Sequence, residues 1–280
     1  GGRTDAGGEI VFDWDNWWAA EYSAGPSRLI DYCKEVGTYH RALSEKNISV
    51  DFVSVEDDLS SYKLVIAPLL YMCKDGFDEK IREYVRNGGR FLTTFFSGYV
   101  EDHDLVVTGG YPGRLKDILG IWVEESDALP EGEANSFTYK GKNYPAAVLC
   151  DLLHLQGAEG LSVYESDFYE NMPVLTCNRF GEGKAYYVAT HSSDEFYKNF
   201  LGEICEELDI HPVAEVPEDV EATVRENEKG SFLFLLNHGE KAAEIILDRE
   251  GIDLISGRSV QAGDSITLEK TGVAIIKRNK

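Results

Sequence analysis

Ser97, His191 and the tryptophans Trp14, Trp17 and Trp18 are the residues whose types offer chemistry. Ser97 closes an apolar run, Arg90-Phe-Leu-Thr-Thr-Phe95, that leads through Phe96 to Gly98. A serine nucleophile needs an activating base, and in the Gly-x-Ser-x-Gly frame it needs a glycine two residues upstream; Phe95 stands there instead. Ser97 is therefore expected in a structural turn. His191 is followed by Ser192, Ser193 and Asp194, which reads as the polar approach to a helix capped by one of those three. No nucleophile is in evidence for His191 to serve, and no catalytic residue is assigned.

Metal chemistry finds no support in the spacing. The six histidines never stand three or four residues apart, and the five cysteines contain no Cys-x-x-Cys pair. Glu56-Asp57-Asp58 and Glu124-Glu125-Ser126-Asp127 lack the alternation and glycine of a calcium loop and read as solvated surface. No metal and no cofactor is expected. Five scattered cysteines are simplest as reduced thiols, which points to the cytoplasm.

The segment Phe12-Asp-Trp-Asp-Asn-Trp-Trp18 remains, four large rings with interleaved acids. Tryptophan anchors subunit interfaces, stacks on sugars or fills cores. Here the interface reading leads, with burial over a sheet edge and direct sugar contact as the alternatives. The loop from Tyr99 to Arg114, including Tyr111, is too rich in apolar and glycine residues for an ordinary exposed loop and joins Trp14, Trp17 and Trp18 as candidate interface.

Elements of two kinds must position these residues. Glu9 to Asp13, Ile48 to Val53, Leu64 to Leu70 and Arg90 to Phe95 read as strands. A segment opened by Pro26, with Leu29, Ile30, Cys33, Val36 and Leu43 at helical spacing, and another from Phe77 to Asn87 read as helices between them. This alternation predicts an α/β, doubly wound, flavodoxin-like sheet, and Arg90 to Gly98 lies where class I glutamine amidotransferases carry their nucleophile. Pro112 to Ile121 is expected as a short helix, Asn135 to His191 as hairpins, and Asp194 to Leu208 as a closing amphipathic helix. His211-Pro-Val-Ala-Glu-Val-Pro217 then breaks the pattern, and short runs between turn signals predict a small all-β sandwich of about seven strands. The expected division is 1–8 as a linker or the remnant of a chain boundary, 9–212 as the α/β domain and 213–280 as the β domain.

The 280 residues suit two domains, and 27 Lys plus Arg against 50 Asp plus Glu leave a net charge of −23. Such a charge repels phosphate backbones and anionic headgroups, and no apolar run approaches the ~20 residues of a membrane span. Neither nucleic acid nor membrane is an expected partner.

Three segments, Val11-Phe-Asp-Trp-Asp-Asn-Trp-Trp-Ala19, Tyr62-Lys-Leu-Val-Ile-Ala-Pro68 and Gly109-Gly-Tyr-Pro-Gly-Arg-Leu115 with Leu119-Gly-Ile121, resemble the trimerisation domain of glycoside hydrolase family 42 β-galactosidases. The resemblance runs from about residue 9 to 210. The tail, with Phe232-Leu-Phe-Leu-Leu-Asn-His238, is similar to the family's C-terminal domain. The resemblance implies an upstream (β/α)₈ barrel whose two glutamates remove terminal β-galactosyl units with retention, and a cytoplasmic homotrimer in which this region packs about the shared axis and walls the active-site mouth. A barrel takes about 250 residues, and fewer than ten precede the first strand here, so no catalytic glutamate is carried over. The expected partners are further copies of the chain and the barrel of the parent enzyme. A stand-alone amidotransferase-like domain binding a small ligand or carbohydrate is the alternative.

Overall fold

The computed structural model describes residues 6–23 and 25–278. Most of the expected 1–8 linker lies outside them. Within the described residues the chain is a mixed α/β protein with several sheets and few helices. These residues form two compact units, one within 8–40 and 51–200, the other within 41–50 and 201–278 together with residues 6 and 7.

The first unit is organised by a seven-stranded sheet in the order β2-β1-β3-β4-β10-β9-β8. Its centre is parallel: β1 (Gly8–Val11) pairs with β3 (Leu64–Ala67), β3 with β4 (Arg90–Thr94), and β4 with β10 (Gly183–Val188). Every residue of β1 and β3 is buried; β3 is the continuous apolar run that a parallel sheet covered on both faces requires, whereas β1 also buries Glu9. The edge strand β2 is Val50–Val53, while β9 (Pro173–Phe180) and β8 (Glu159–Val163) extend the other side antiparallel. A second, antiparallel sheet runs β11 (Thr190–His191), β7 (Lys142–Leu155), β5 (Ile121–Ala128), with β6 (Asn135–Tyr139) also paired to β7.

The helices differ from expectation where local chemistry overrides periodicity. Phe12 and Asp13 leave the first strand, and Asp13 caps α1 (Trp14–Tyr22), accepting from the Asp15 N–H at 3.1 Å. The tryptophan segment is thus a helix. Leu29 and Ile30 precede α2 (Tyr32–Ser44) because Asp31 accepts the Lys34 N–H at 2.8 Å, a cap that fixes the start. Helix α3 (Phe77–Arg86) buries Phe77, Ile81, Tyr84 and Val85 as its spacing predicts. The expected Pro112–Ile121 helix is a 3₁₀ turn (Gly113–Leu115) and a single turn, α4 (Lys116–Leu119). Helix α5 (Asp194–Glu207) matches its reading closely.

Among the described residues the tail has seven strands. β12 (Val220–Asn227), β13 (Gly230–Asn237), β18 (Val273–Arg278), β15 (Gly251–Asp253) and β16 (Ser259–Val260) form one sheet in that order, and β14 (Ala243–Ile246) pairs with β17 (Ser265–Leu268) in another. Leu233, Leu235, Ala274 and Ile276 of the larger sheet share one core with Ile245, Leu247 and Leu268.

Candidate functional site

Helix α1 presents an aromatic stripe. Trp14, Trp18 and Tyr22 are 58%, 51% and 85% exposed, and their four-residue spacing places them on one face. Trp17 is half-buried; its ring meets Phe12 at 6.1 Å and Trp14 at 5.3 Å. The opposite face is pinned by Asn16, whose amide donates to the Leu69 carbonyl at 2.9 Å and accepts the Met72 N–H at 2.7 Å. Lys74 reaches Asp13 at 3.0 Å and Asp15 at 2.6 Å. Burial works against its charge, but the two carboxylates outweigh that and raise its pKa. The rings are therefore held on a rigid helix. Leaving them in water forfeits apolar burial.

The segment after β3 links this helix to the Tyr99–Arg114 loop. Leu69 N–H donates to Thr94 Oγ1 at 2.8 Å, Leu70 N–H to Ser97 Oγ at 3.0 Å, and Cys73 N–H to the Val100 carbonyl at 3.0 Å. Ser97 is fully buried and its hydroxyl also meets Thr93 Oγ1 at 2.9 Å, so it is structural. The loop is cinched at its base: a Cβ on Gly98 would lie 2.2 Å from the Pro112 oxygen, and one on Gly113 2.5 Å from the Gly98 oxygen. Only glycine permits that approach. Tyr99 and Tyr111 stack there at 3.8 Å between centroids, while Leu105 and Val106 at the tip are 63% and 62% exposed. Arg114 pairs with Asp75 and lies 3.8 Å from Asp78, whose pKa burial and the adjacent Glu79 push up to about 6.

Two buried acids organise the interior of the first unit. Asp151 on β7 accepts from Ser126 Oγ at 2.5 Å, Tyr187 OH at 2.6 Å and the Phe96 N–H at 3.2 Å. Burial pushes its pKa up to about 6, with those hydrogen bonds opposing the rise. Phe96 itself has φ 59°, a left-handed posture uncommon for a non-glycine residue. His191 Nδ1 meets Glu35 at 2.6 Å, and Tyr197 OH donates to the same carboxylate at 3.1 Å. Burial opposes charge on His191, but Glu35 prevails and raises its pKa. The pair ties α2 to β11. Among the described residues, no group of three His, Cys, Asp or Glu side chains is placed to hold a metal ion.

Of the residues expected from sequence, Trp14 and Trp18 lie on the open stripe, Trp17 beneath it, Tyr99 and Tyr111 in the loop base, and Arg114 in an ion pair beside it. Tyr22 was missed, although its distance from Trp14 and Trp18 is the signal once α1 is a helix. Asn16 and Asp151 had no such signal, since their partners lie more than 24 residues away.

This arrangement of an α/β unit with an exposed aromatic helix and a separate β tail has counterparts among known proteins. Residues 6–211 match the family model of the β-galactosidase trimerisation domain, and residues 219–278 that of the β-galactosidase C-terminal domain. The chain belongs to the β-galactosidases of glycoside hydrolase family 42. It is 47% identical over 283 residues to β-galactosidase BgaP of Planococcus sp. strain L4, covering 99% of this chain and 42% of that one. BgaB of a Geobacillus species is 38% identical, with 100% and 42% covered. The solved β-galactosidase of Bacillus circulans sp. alkalophilus superimposes with a TM-score of 0.95 at 40% identity, covering 99% of this chain and 42% of that one. The chain thus spans under half the length of the relatives it matches and corresponds to their trimerisation and C-terminal regions.

Proposed function

We propose that this chain is the assembly region of a longer cytoplasmic β-galactosidase, self-associating as a homotrimer while a barrel outside it removes terminal β-galactosyl residues. The aromatic stripe Trp14, Trp18 and Tyr22, exposed on a helix locked from behind by Asn16, is the observation that carries this reading. Tyr99, Tyr111 and Arg114, with the exposed Leu105 and Val106, are the further residues we assign to the interface. A match along 99% of the chain to part of a longer relative favours assembly over a stand-alone ligand-binding domain. The strand order 2-1-3-4 with parallel central pairs supports a doubly wound, flavodoxin-like or amidotransferase-like ancestry for residues 9–212. The two sheets on one core support a sandwich for 213–280. Free thiols on Cys33, Cys73, Cys150 and Cys205 accord with a reducing compartment.

Sedimentation tests this directly. The chain should form a species of three copies at tens of micromolar, and Trp14→Ala or Trp18→Ala should weaken it by about 2 kcal/mol or more, roughly thirtyfold. A monomeric parent chain, or variants that associate equally well, would remove the assembly role from these residues.

A further inference from the structure

The central strands β13, β18 and β15 of the tail's larger sheet together carry apolar residues on both faces, while the edge strand β12 sends Glu221, Thr223 and Arg225 outward opposite Leu236, Phe234 and Phe232. The inner rows, Leu233 and Leu235 with Ala274 and Ile276, belong to the tail core. Alternation sends the intervening residues outward. Phe234 stands opposite Ile275 and Leu236 opposite Val273, while Phe232 and Ile252 flank Lys277 from either side. Leu254 continues the row through its N–H to the Ile275 carbonyl, 2.8 Å. Ile252, Leu254 and Val273 are 46%, 49% and 44% exposed, and Phe232, Phe234, Leu236 and Ile275 are half-buried. An antiparallel sheet with one solvated face ordinarily alternates apolar with polar residues. Here the middle of the solvent side, bounded by Glu221, Thr223, Arg225 and Lys277, reads like a second core face lacking its cover.

We infer that this outer face is a docking surface for the chain segment that precedes the trimerisation region in the longer relatives, and that the segment covers it with apolar side chains of its own. Two observations select this occupant. More than half of each relative lies outside the region matched here, since the match covers 42% of it. The chain also arrives against the unit that bears the sheet: residues 6 and 7 group with it, and Gly7 passes so close to Ile210 that a Cβ there would lie 2.9 Å from its Cγ2. A segment tethered at that point meets the tail at high effective concentration. A second copy on this face would instead require another interface in addition to the trimer contact. This inference rests on family membership and not on where the trimer contact lies.

Footprinting with a photolysed diazirine, which labels exposed apolar side chains, tests it without any substitution. The strands β13 and β18 and the Ile252–Leu254 segment are mapped by mass spectrometry in this chain and, at the aligned strands, in intact BgaP of Planococcus. Each peptide is normalised to its labelling in urea. The expected result is strong labelling of these peptides in this chain at every concentration and several-fold protection in the intact relative. Equal labelling in the two proteins would overturn the inference, because nothing upstream would then cover the face. Protection in this chain that grows with its own concentration would overturn it in favour of a second copy. Sedimentation of the tryptophan variants is a separate readout, so failure here leaves the trimer reading standing, and the reverse holds.

Discussion

Glu9 shows how one side chain can set the response of the fold to pH. It lies on β1, fully buried, and neither carboxylate oxygen has a hydrogen-bond partner among the described residues. Burial, with Asp57, Asp51 and Asp58 adding repulsion and Lys80 opposing it, pushes its pKa up to about 8 from an ordinary 4.5. Between those two values the folded chain holds a proton that the unfolded chain has released. Stability contributed here is therefore present at low pH, falls as pH rises from about 4.5 to about 8, and is flat beyond. Replacing Glu9 by Gln removes the ionisation, so the variant should exceed the parent above pH 8 by on the order of 3 kcal/mol. Thermal melts across pH would check this, and parallel curves for the two proteins would refute it.

At the scale of elements, α1 divides cleanly into a face that holds and a face that offers. Asn16→Ala leaves the Leu69 carbonyl and the Met72 N–H without their buried partner, so it should lower folding stability by about 2 kcal/mol in denaturant titrations. Trp18→Ala, on the open face, should leave those titrations nearly unchanged while weakening association. If both variants lose stability equally, the stripe is packing rather than interface. The sequence made some elements legible and not others for physical reasons. β3 and α3 were readable because burial on both faces writes a continuous apolar run and one-sided burial writes a 3.6-residue period. α1 was hidden because its large rings point outward, so its apolar residues follow no inward stripe; only the Asp13 cap marked it. The tryptophans were still legible as a site by type. Asn16 and Asp151 were not, because their roles exist only once β3, β4 and β7 are assembled.

At the scale of the whole molecule, charge and missing chemistry set two expectations. A chain with net charge −23 brings like charges together when copies associate, so raising salt should screen the repulsion and tighten assembly. Sedimentation at low and high ionic strength should show the trimer fraction rising, and a fall would indicate that charge pairs across the contact dominate. Turnover of a chromogenic β-galactoside is expected to be absent from the isolated chain, because the proposed function places the two displacements on carboxylates outside it. Activity that persists through stringent purification would contradict the division of labour proposed above. Protease should cut first at the exposed tip around Leu105 and Val106 rather than between Val213 and Val216, since Val213 N–H is bonded to the Asn47 carbonyl and those residues pack on the tail core.

The turn at Phe96 carries a consequence for anyone hoping to graft a catalyst onto this scaffold. Its backbone already has the bent posture in which α/β hydrolases display an attacking group at the end of a strand. Yet its N–H is spent on the buried carboxylate of Asp151, which also engages Ser126 and Tyr187. A cysteine installed at that position would find an anion where an oxyanion needs donors, and its thiol would be harder to ionise for the same reason. The bend is present here without the electrostatics that would make a nucleophile reactive, so redesign would have to begin at Asp151.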